Sequence, residues 1–263
     1  MVERGLAGKT ALVTGSGRGI GAAIAEALAA RGCAVALHDR NATGLEAAAE
    51  RLAIKHGVAC AGFGADLAEP GAAASLFAAL DRRLPPLDIL VNNAGYETTA
   101  AAETMAEADW RGVLEVNLTA PFLLAQQAAR RMQGRGGVIV NISSMHDSVP
   151  RKGLAHYAAA KAGLSMLTRS LALEWAEYGI RVVTVSPGAV ETDMNREAID
   201  AFGRDRFEGW IPAGRLGTVA DIAAAVVFLC GPESNYITGT ELRIDGGYGL
   251  NLVRYDDRPG RDR

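Results

Sequence analysis

Short runs of β-branched and apolar residues alternate along the chain with longer segments whose apolar positions recur at helical spacing. Strands are expected at 10–14, 34–38, 58–64, 89–91, 138–142, 181–186 and 241–244. Several read as unbroken apolar runs, as in a parallel sheet covered on both faces. Helices are expected at 20–31, 42–56, 72–84, 106–132, 157–178 and 219–229. Repeated strand–helix alternation implies right-handed βαβ crossovers and predicts an α/β fold: a single doubly wound parallel sheet with helices on both faces. No Pro/Ser-rich linker interrupts the pattern, so residues 1–253 read as one domain. A polar insertion at 191–212 and a charged tail at 254–263 break the alternation.

Composition narrows the function without changing that picture. Of 263 residues, 49% are hydrophobic and 22% charged, which suits a folded globular chain. The 27 Lys and Arg against 30 Asp and Glu leave no basic excess to neutralise a phosphate backbone, so no nucleic-acid partner is expected. Abundant Ala and Gly with only 6% aromatics disfavour a β-sandwich. Residues 1–9 lack the apolar run of a signal peptide, and stretches such as 223–230 are too short to span a bilayer. A cytoplasmic location and no membrane partner are therefore expected. Cys33, Cys60 and Cys230 are widely separated and odd in number, and read as small buried hydrophobes in a reducing compartment.

The first chemical signal is the run Thr14-Gly15-Ser16-Gly17-Arg18-Gly19-Ile20-Gly21, which follows a predicted strand and opens a predicted helix. Glycines there let the backbone turn sharply and approach a pyrophosphate, and the helix N-terminus offers free N–H groups to the anion. Such a site belongs to a Rossmann-type dinucleotide-binding domain. Asp39 stands twenty positions beyond Gly19, at the end of the second strand. A carboxylate there accepts from the ribose 2′-hydroxyl of NAD and repels the 2′-phosphate of NADP. NAD is the favoured cofactor, while Arg18 and Arg40, both able to reach a 2′-phosphate, leave NADP open.

With these residues the sequence resembles the short-chain dehydrogenase/reductase family over nearly its whole length. The glycine run matches that family's Thr-Gly-x-x-x-Gly-x-Gly motif. Asp66-Leu67 is similar to its adenine-contacting pair, and Asn92-Asn93-Ala94-Gly95 to its Asn-Asn-Ala-Gly element. Asn117 falls where the family keeps a structural and catalytic Asn, and Ser144, Tyr157 and Lys161 match its Ser…Tyr-x-x-x-Lys signature. Pro187-Gly188, Val190 and Thr192 resemble the segment that holds the nicotinamide carboxamide. The resemblance implies an NAD(P)-dependent oxidoreductase that interconverts a secondary alcohol and a carbonyl.

The residue types support that chemistry on their own terms. Tyr157 and Lys161 lie four apart, so one helix face presents both. A free tyrosine, with a pKa near ~10, is a poor base at neutral pH. A nearby ammonium is expected to lower that value and fit Tyr157 as general acid/base. Ser144 can steady the substrate oxygen, Lys161 can also hold the nicotinamide ribose, and Asn117 can anchor a water linking Lys161 to solvent. His38, His56, His146 and His156 show no metal-ligand spacing, so no metal is expected. His146, two past Ser144, faces either substrate or its own loop. Leu164, Leu167, Leu171 and Trp175 recur at helical spacing. They read as core in an isolated domain, whereas in the resembled family that helix often meets a partner subunit, implying a homotetramer.

Substrate signals diverge. The stretches 157–164 and 190–194 resemble 3-oxoacyl-(acyl-carrier-protein) reductases; Arg135 matches one of two carrier-docking arginines there, but Tyr178 occupies the other position. Residues 143–147 and the stretch from there to His156-Tyr157 look more like sugar dehydrogenases such as glucose 1-dehydrogenase. Together with Asp39, they favour a sugar or polyol-like alcohol. The reading from another class, a non-catalytic nucleotide-binding regulator, gives no reason for intact Ser144, Tyr157 and Lys161. A methyltransferase shares the glycine turn but gives no reason for Tyr-x-x-x-Lys.

Overall fold

Seven strands form one parallel sheet in the order β3-β2-β1-β4-β5-β6-β7. They are β1 (Thr10–Thr14), β2 (Ala34–Asp39), β3 (Cys60–Gly64), β4 (Ile89–Asn92), β5 (Gly137–Ile142), β6 (Ile180–Pro187) and β7 (Glu241–Ile244). This is a computed structural model, and it describes residues 5–250 apart from the side chains at 194, 197, 198 and 202. The charged tail at 254–263 lies outside the described residues.

The unbroken apolar strands have the cause expected of them. Successive side chains point to opposite faces of a sheet. Ala11 and Val13 of β1, Ile89 and Val91 of β4, and Val138, Val140 and Ile142 of β5 enter one core. Helices α1 (Gly19–Ala30), α2 (Leu45–His56) and α9 (Val219–Cys230) cover it. The intervening Leu12, Leu90 and Ile139 enter the opposite core, under α3 (Ala72–Leu80), α5 (Ala120–Met132) and α6 (Ala155–Trp175). With both faces buried, most strand positions are apolar, and the polar ones among them, such as Asn141 and Thr184, are buried.

Two regions depart from the sequence reading. The helix expected at 106–132 is α4 (Glu107–Leu114), a π turn over Glu115–Thr119, and then α5. Ala120 N–H reaches back to the Glu115 carbonyl, one residue further than in an α-helix. Pro121 has no N–H to offer the carbonyl four residues before it, that of Asn117, so regular bonding fails there. The insertion at 191–212 is largely helical: α7 (Asp193–Phe202) and α8 (Arg204–Glu208). It closes on a small core of its own, made by Ala189, Ile199, Phe207, Ile211 and Leu216.

The strand order reverses between β1 and β4. β1 pairs with β2 on one side and β4 on the other, which opens a crevice at the carboxyl ends of the strands. Beneath that edge, Asn92, Asn141 and Thr184 are register partners across β4, β5 and β6. Asn92 Nδ2 donates to Asn141 Oδ1 at 2.9 Å, and Asn141 Nδ2 to Thr168 Oγ1 on α6 at 2.9 Å. Thr184 Oγ1 donates to the same Thr168 oxygen at 2.8 Å. This buried network ties the floor of the crevice together, with Asn92 Oδ1 left without a donor among the described residues.

Candidate active site

The crevice is built first from the β1–α1 turn. Gly15 and Gly19 carry φ of 62° and 57°, a backbone region that favours glycine. Gly21 is required by closeness instead, since a Cβ there would lie 2.2 Å from the Gly15 carbonyl oxygen. Helix α1 starts with no side-chain cap and no acidic residue in its first turn. Its leading N–H groups and positive dipole end suit an anion such as a pyrophosphate.

Side chains tie this turn to its neighbours. Thr14 Oγ1 accepts from the N–H groups of Asn93 and Ala94, both at 3.0 Å, and Asn93 Nδ2 donates to the Thr14 and Gly15 carbonyls at 2.9 and 3.0 Å. Ser16 N–H donates to the His38 carbonyl at 2.8 Å, and His38 N–H returns a bond to Ser16 Oγ at 2.9 Å. Asp39 therefore sits beside the glycine turn, its Oδ2 accepting from Gly17 N–H at 3.2 Å and its Oδ1 from Asn41 N–H at 3.1 Å. Ile20 packs against the core, and Leu67 is buried beneath Asp66, whose Oδ1 accepts from Ala68 N–H at 3.0 Å. Arg40 is exposed, while Arg18 pairs with Asp193 of α7 at 3.4 Å.

The opposite wall starts at Pro187, the last residue of β6. Gly188 N–H donates to the Ile244 carbonyl at 2.9 Å, and Val190 is buried in a bridge to Gly217. Thr192 opens α7, with its methyl 3.9 Å from where a Cβ on Gly19 would stand. The segment from 187 to 192 thus lies across the crevice from the glycine turn.

Ser144 ends the segment after β5 and accepts from His146 N–H at 3.2 Å, starting a 3-10 turn over Met145–Asp147. Tyr157 and Lys161 are both buried in the first turns of α6. Lys161, 4% exposed, donates to the Ile142 carbonyl at 2.9 Å, and its Nζ lies 5.5 Å from the Tyr157 ring centroid. Asn117 is fully buried in the π turn and donates to the carbonyls of Tyr96 and Val113, both at 2.9 Å. A Cβ on Gly95 would stand 2.5 Å from Asn117 Oδ1 and 3.5 Å from Lys161 Nζ, so these polar atoms converge. Asn117 Oδ1 has no hydrogen-bond donor among the described residues.

Burial sets the electrostatics here, and it reverses one expectation. Desolvation, joined by the charges of Glu97 and Asp147, pushes the Tyr157 hydroxyl above its ordinary value, with only the Ser144 hydroxyl pulling it down. The expected lowering by Lys161 is not seen. Lys161 is itself brought down to about 8, because burial penalises its ammonium more than Asp147 and Glu97 support it. Its Nζ bonds the Ile142 carbonyl, not the phenol. In this state Tyr157 is a neutral acid and Lys161 a cation close to releasing its proton.

This geometry can be set beside known proteins. The family model described as enoyl-(acyl carrier protein) reductase matches residues 15–249. The chain belongs to the short-chain dehydrogenase/reductase family. D-threitol dehydrogenase of Mycolicibacterium smegmatis is 41% identical over 244 residues, covering 92% of this chain and 94% of that protein. The 3-oxoacyl-(acyl-carrier-protein) reductase FabG of Escherichia coli is 41% identical over 241 residues, covering 91% and 97%. A gluconate 5-dehydrogenase from Burkholderia cenocepacia, solved in complex with NADP and tartrate, superimposes with a TM-score of 0.90 at 36% identity, covering 95% and 98%. This member of the family is an NAD(P)-dependent oxidoreductase acting on CH–OH groups.

The remaining residues singled out in the sequence take these places. His146 turns Nδ1 to the Val149 carbonyl at 2.9 Å, so it braces its own loop. Leu164 and Leu171 are buried, as the core reading of that stripe expects, and Leu167 and Trp175 pack against the core that holds Leu171. The apolar residues that α6 exposes are Met166 and, at 82%, Leu173. Cys33 and Cys230 are buried, but Cys60 only partly so. Burial pushes the Cys230 thiol up to about 12. Among the described residues no cluster of His, Cys, Asp or Glu could hold a metal ion, and no helix is long and apolar enough to cross a membrane.

Sequence reasoning also missed two residues. His156, fully buried beside Tyr157, bonds Thr98 Oγ1 at 2.8 Å and ties the loop after β4 to α6. Asp147 has a buried side chain next to the serine turn, ion-paired with Arg243 at 3.3 Å. Neither has a spacing signal, because their partners come from distant parts of the chain.

Proposed function

We propose that this enzyme interconverts a secondary alcohol and a ketone on a sugar or polyol-like substrate, with Tyr157 as general acid/base. The observation that carries the reading is the convergence of Ser144, Tyr157, Lys161 and Asn117 at the strand edge facing an uncapped, glycine-lined helix N-terminus. The cradle fits a dinucleotide: Gly15 to Gly21 for the pyrophosphate, Asp39 for the adenosine ribose, Asp66 and Leu67 for adenine. Asn93, Ala94, Gly95 and the segment Pro187, Gly188, Val190 and Thr192 complete it. A bound nicotinamide supplies or takes the hydride.

The chain's own residues handle the proton. In reduction, neutral Tyr157 gives its hydroxyl proton to the carbonyl oxygen while Ser144 donates a hydrogen bond to that oxygen. The positive charge of Lys161 then steadies the phenolate. Asn117 Oδ1, buried and without a donor among the described residues, accepts from a water that links Lys161 to solvent. Oxidation runs these transfers backwards.

Asp39 supports NAD over NADP. Its carboxylate stands at the glycine turn, where it suits a ribose hydroxyl and repels a phosphate, and Arg18 is engaged by Asp193. The similarity to D-threitol dehydrogenase supports a polyol. The second reading, 3-oxoacyl-(acyl-carrier-protein) reduction, is favoured by the similarity to FabG. Against it, Arg135 is turned onto the Leu87 carbonyl at 2.7 Å, and Tyr178 packs against the core. A homotetramer is proposed from two exposed apolar patches: Trp110, Phe122, Leu123, Met166 and Leu173 on α4 to α6, and Phe228, Tyr236 and Leu242 on and beside α9 and β7. Two such sets of exposed apolar residues suit two two-fold interfaces.

The deciding experiment is a panel of C4–C6 polyols and sugars with NAD and NADP, alongside an acetoacetyl thioester with NADH and NADPH. Polyol oxidation with NAD is expected. Thioester reduction alone would move the assignment to the second reading, and no turnover of any alcohol or carbonyl would favour a nucleotide-binding regulator.

A further inference from the structure

We propose that Asp147 is a positioning residue for this reaction: one buried carboxylate that holds the serine turn, the lysine helix and the nicotinamide-side strand in mutual register. Its side chain is 2% exposed. Oδ2 accepts from three hydroxyls, Ser143 at 3.1 Å, Ser165 at 3.0 Å and Ser186 at 2.9 Å. Each donor sits next to a working part of the site. Ser143 precedes Ser144, Ser165 lies one helical turn beyond Lys161, and Ser186 precedes Pro187 and Gly188. Ser143 Oγ also lies 3.3 Å from the Lys161 carbonyl, which brings the turn and α6 closer still.

A neutral side chain would not hold this junction in the same way. A carboxylate is acceptor-only and can receive several donors at once, and charge-assisted bonds are the stronger kind. A buried carboxylate also needs a counter-charge. Arg243 of β7 provides it, with Nη2 3.3 Å from Oδ1 and a second anchor on Glu241 at 2.9 Å. Arg243 is two residues before Asp245, whose carboxylate accepts from the N–H groups of Gly247 and Gly249 at 2.8 and 2.9 Å. The hub therefore reaches four elements: the turn after β5, α6, β6 and β7. Its negative charge also supports the buried ammonium of Lys161.

The proposal rests on the reaction assigned above, so wild-type turnover in the substrate panel is established first. Asp147→Asn keeps the shape, removes the charge and aims an amide donor at either the serines or Arg243. For the alcohol that wild type oxidises, kcat per folded site is expected to fall about 10- to 100-fold, the cost of a misplacement near 1 Å. KM and the affinity for NADH, read by cofactor fluorescence, should stay within about threefold, because Asp147 reaches neither ligand. Ser186→Ala and Ser165→Ala, each removing one donor, should lower kcat less, and together less than multiplicatively. They keep the test alive if Asp147→Asn does not fold. Hydrogen exchange gives a readout independent of turnover: protection at 143–149 and 185–189 should drop together in Asp147→Asn. A wild type inactive on every substrate would refute the assigned reaction, and the exchange experiment would still decide the hub. Folded Asp147→Asn with wild-type kcat, or with unchanged protection at both segments, would overturn the proposal.

Discussion

Replacing Lys161 with Met keeps most of the aliphatic stem and deletes the ammonium, so it isolates what a buried charge costs this fold. Lys161 is held at about 8 rather than the ordinary 10.5, chiefly by desolvation. At about 1.36 kcal/mol per pKa unit, that corresponds to roughly 3 kcal/mol of folding stability forfeited at neutral pH. The sign follows from proton counts. Between pH 8 and 10.5 the unfolded chain binds the lysine proton and the native chain does not, so this group makes wild type more stable as pH rises through that window. Below pH 8 both states are protonated and the full cost is present. Methionine carries no such cost, but it leaves the Ile142 carbonyl without its donor, a loss of about 1–3 kcal/mol. The two effects nearly cancel at pH 7. At pH 9.5 roughly 2 kcal/mol of the ammonium cost has gone, so Lys161→Met should then be less stable than wild type by about that margin. Urea unfolding of both proteins at pH 7 and 9.5, at one protomer concentration, measures this difference with other titrations cancelling. A stability difference that does not change with pH would show that Lys161 is not desolvated, and the electrostatic account of the site would fail with it. Activity should be lost in the same variant at both pH values.

Three further outcomes follow from the same geometry. Tyr157→Phe removes the proposed proton-transfer group, so kcat should fall at least ~100-fold while NADH affinity stays within a few-fold; near-normal turnover by folded protein would remove Tyr157 from the mechanism. Asp39→Ala deletes the proposed ribose acceptor and its bond from Gly17 N–H, so NAD affinity measured by titration should fall roughly 10- to 150-fold and selectivity against NADP should relax. A wild type that already prefers NADP would refute the NAD assignment. Leu173→Glu with Met166→Glu places charge in one exposed apolar patch and should split the proposed tetramer into smaller species by light scattering; an unchanged mass would exclude that face.

Most of the fold was legible in the sequence because it depends on local pattern. β1, β7 and the cores of the other strands stand within two residues of where the apolar runs place them, since parallel strands buried on both faces are made mostly of apolar residues. The glycine turn was equally legible: positive φ at Gly15 and Gly19 and the near-contact at Gly21 impose residue identity directly. The insertion at 191–212 was not. Its apolar residues, Ile199, Phe207 and Ile211, bury against one another and against Ala189 and Leu216, so helix there depends on a small separate core rather than on the sheet. The stripe on α6 was legible as core: Leu164 and Leu171 are buried. Periodicity does not show what lies on the other faces of that helix, where Leu173 meets solvent.

The chemistry divides along the same line. Tyr157 and Lys161 could be paired from sequence because four residues on a helix is a local distance. Their proton affinities could not, since these depend on what surrounds them. An exposed phenol beside an ammonium would have titrated low. A phenol buried against Glu97 and Asp147, with the ammonium turned toward Ile142, titrates high. The π turn is a middle case. Pro121 is visible in the sequence and by itself denies the Asn117 carbonyl a regular donor, so the break in helix 106–132 was in principle readable. What no spacing reveals is that the break places Asn117 Oδ1 beside Lys161, or that Asp147 receives hydroxyls from positions 143, 165 and 186 together with Arg243. Those juxtapositions exist only once β5, β6 and β7 lie side by side, so the parts of the site that set its electrostatics are the parts a one-dimensional pattern does not carry.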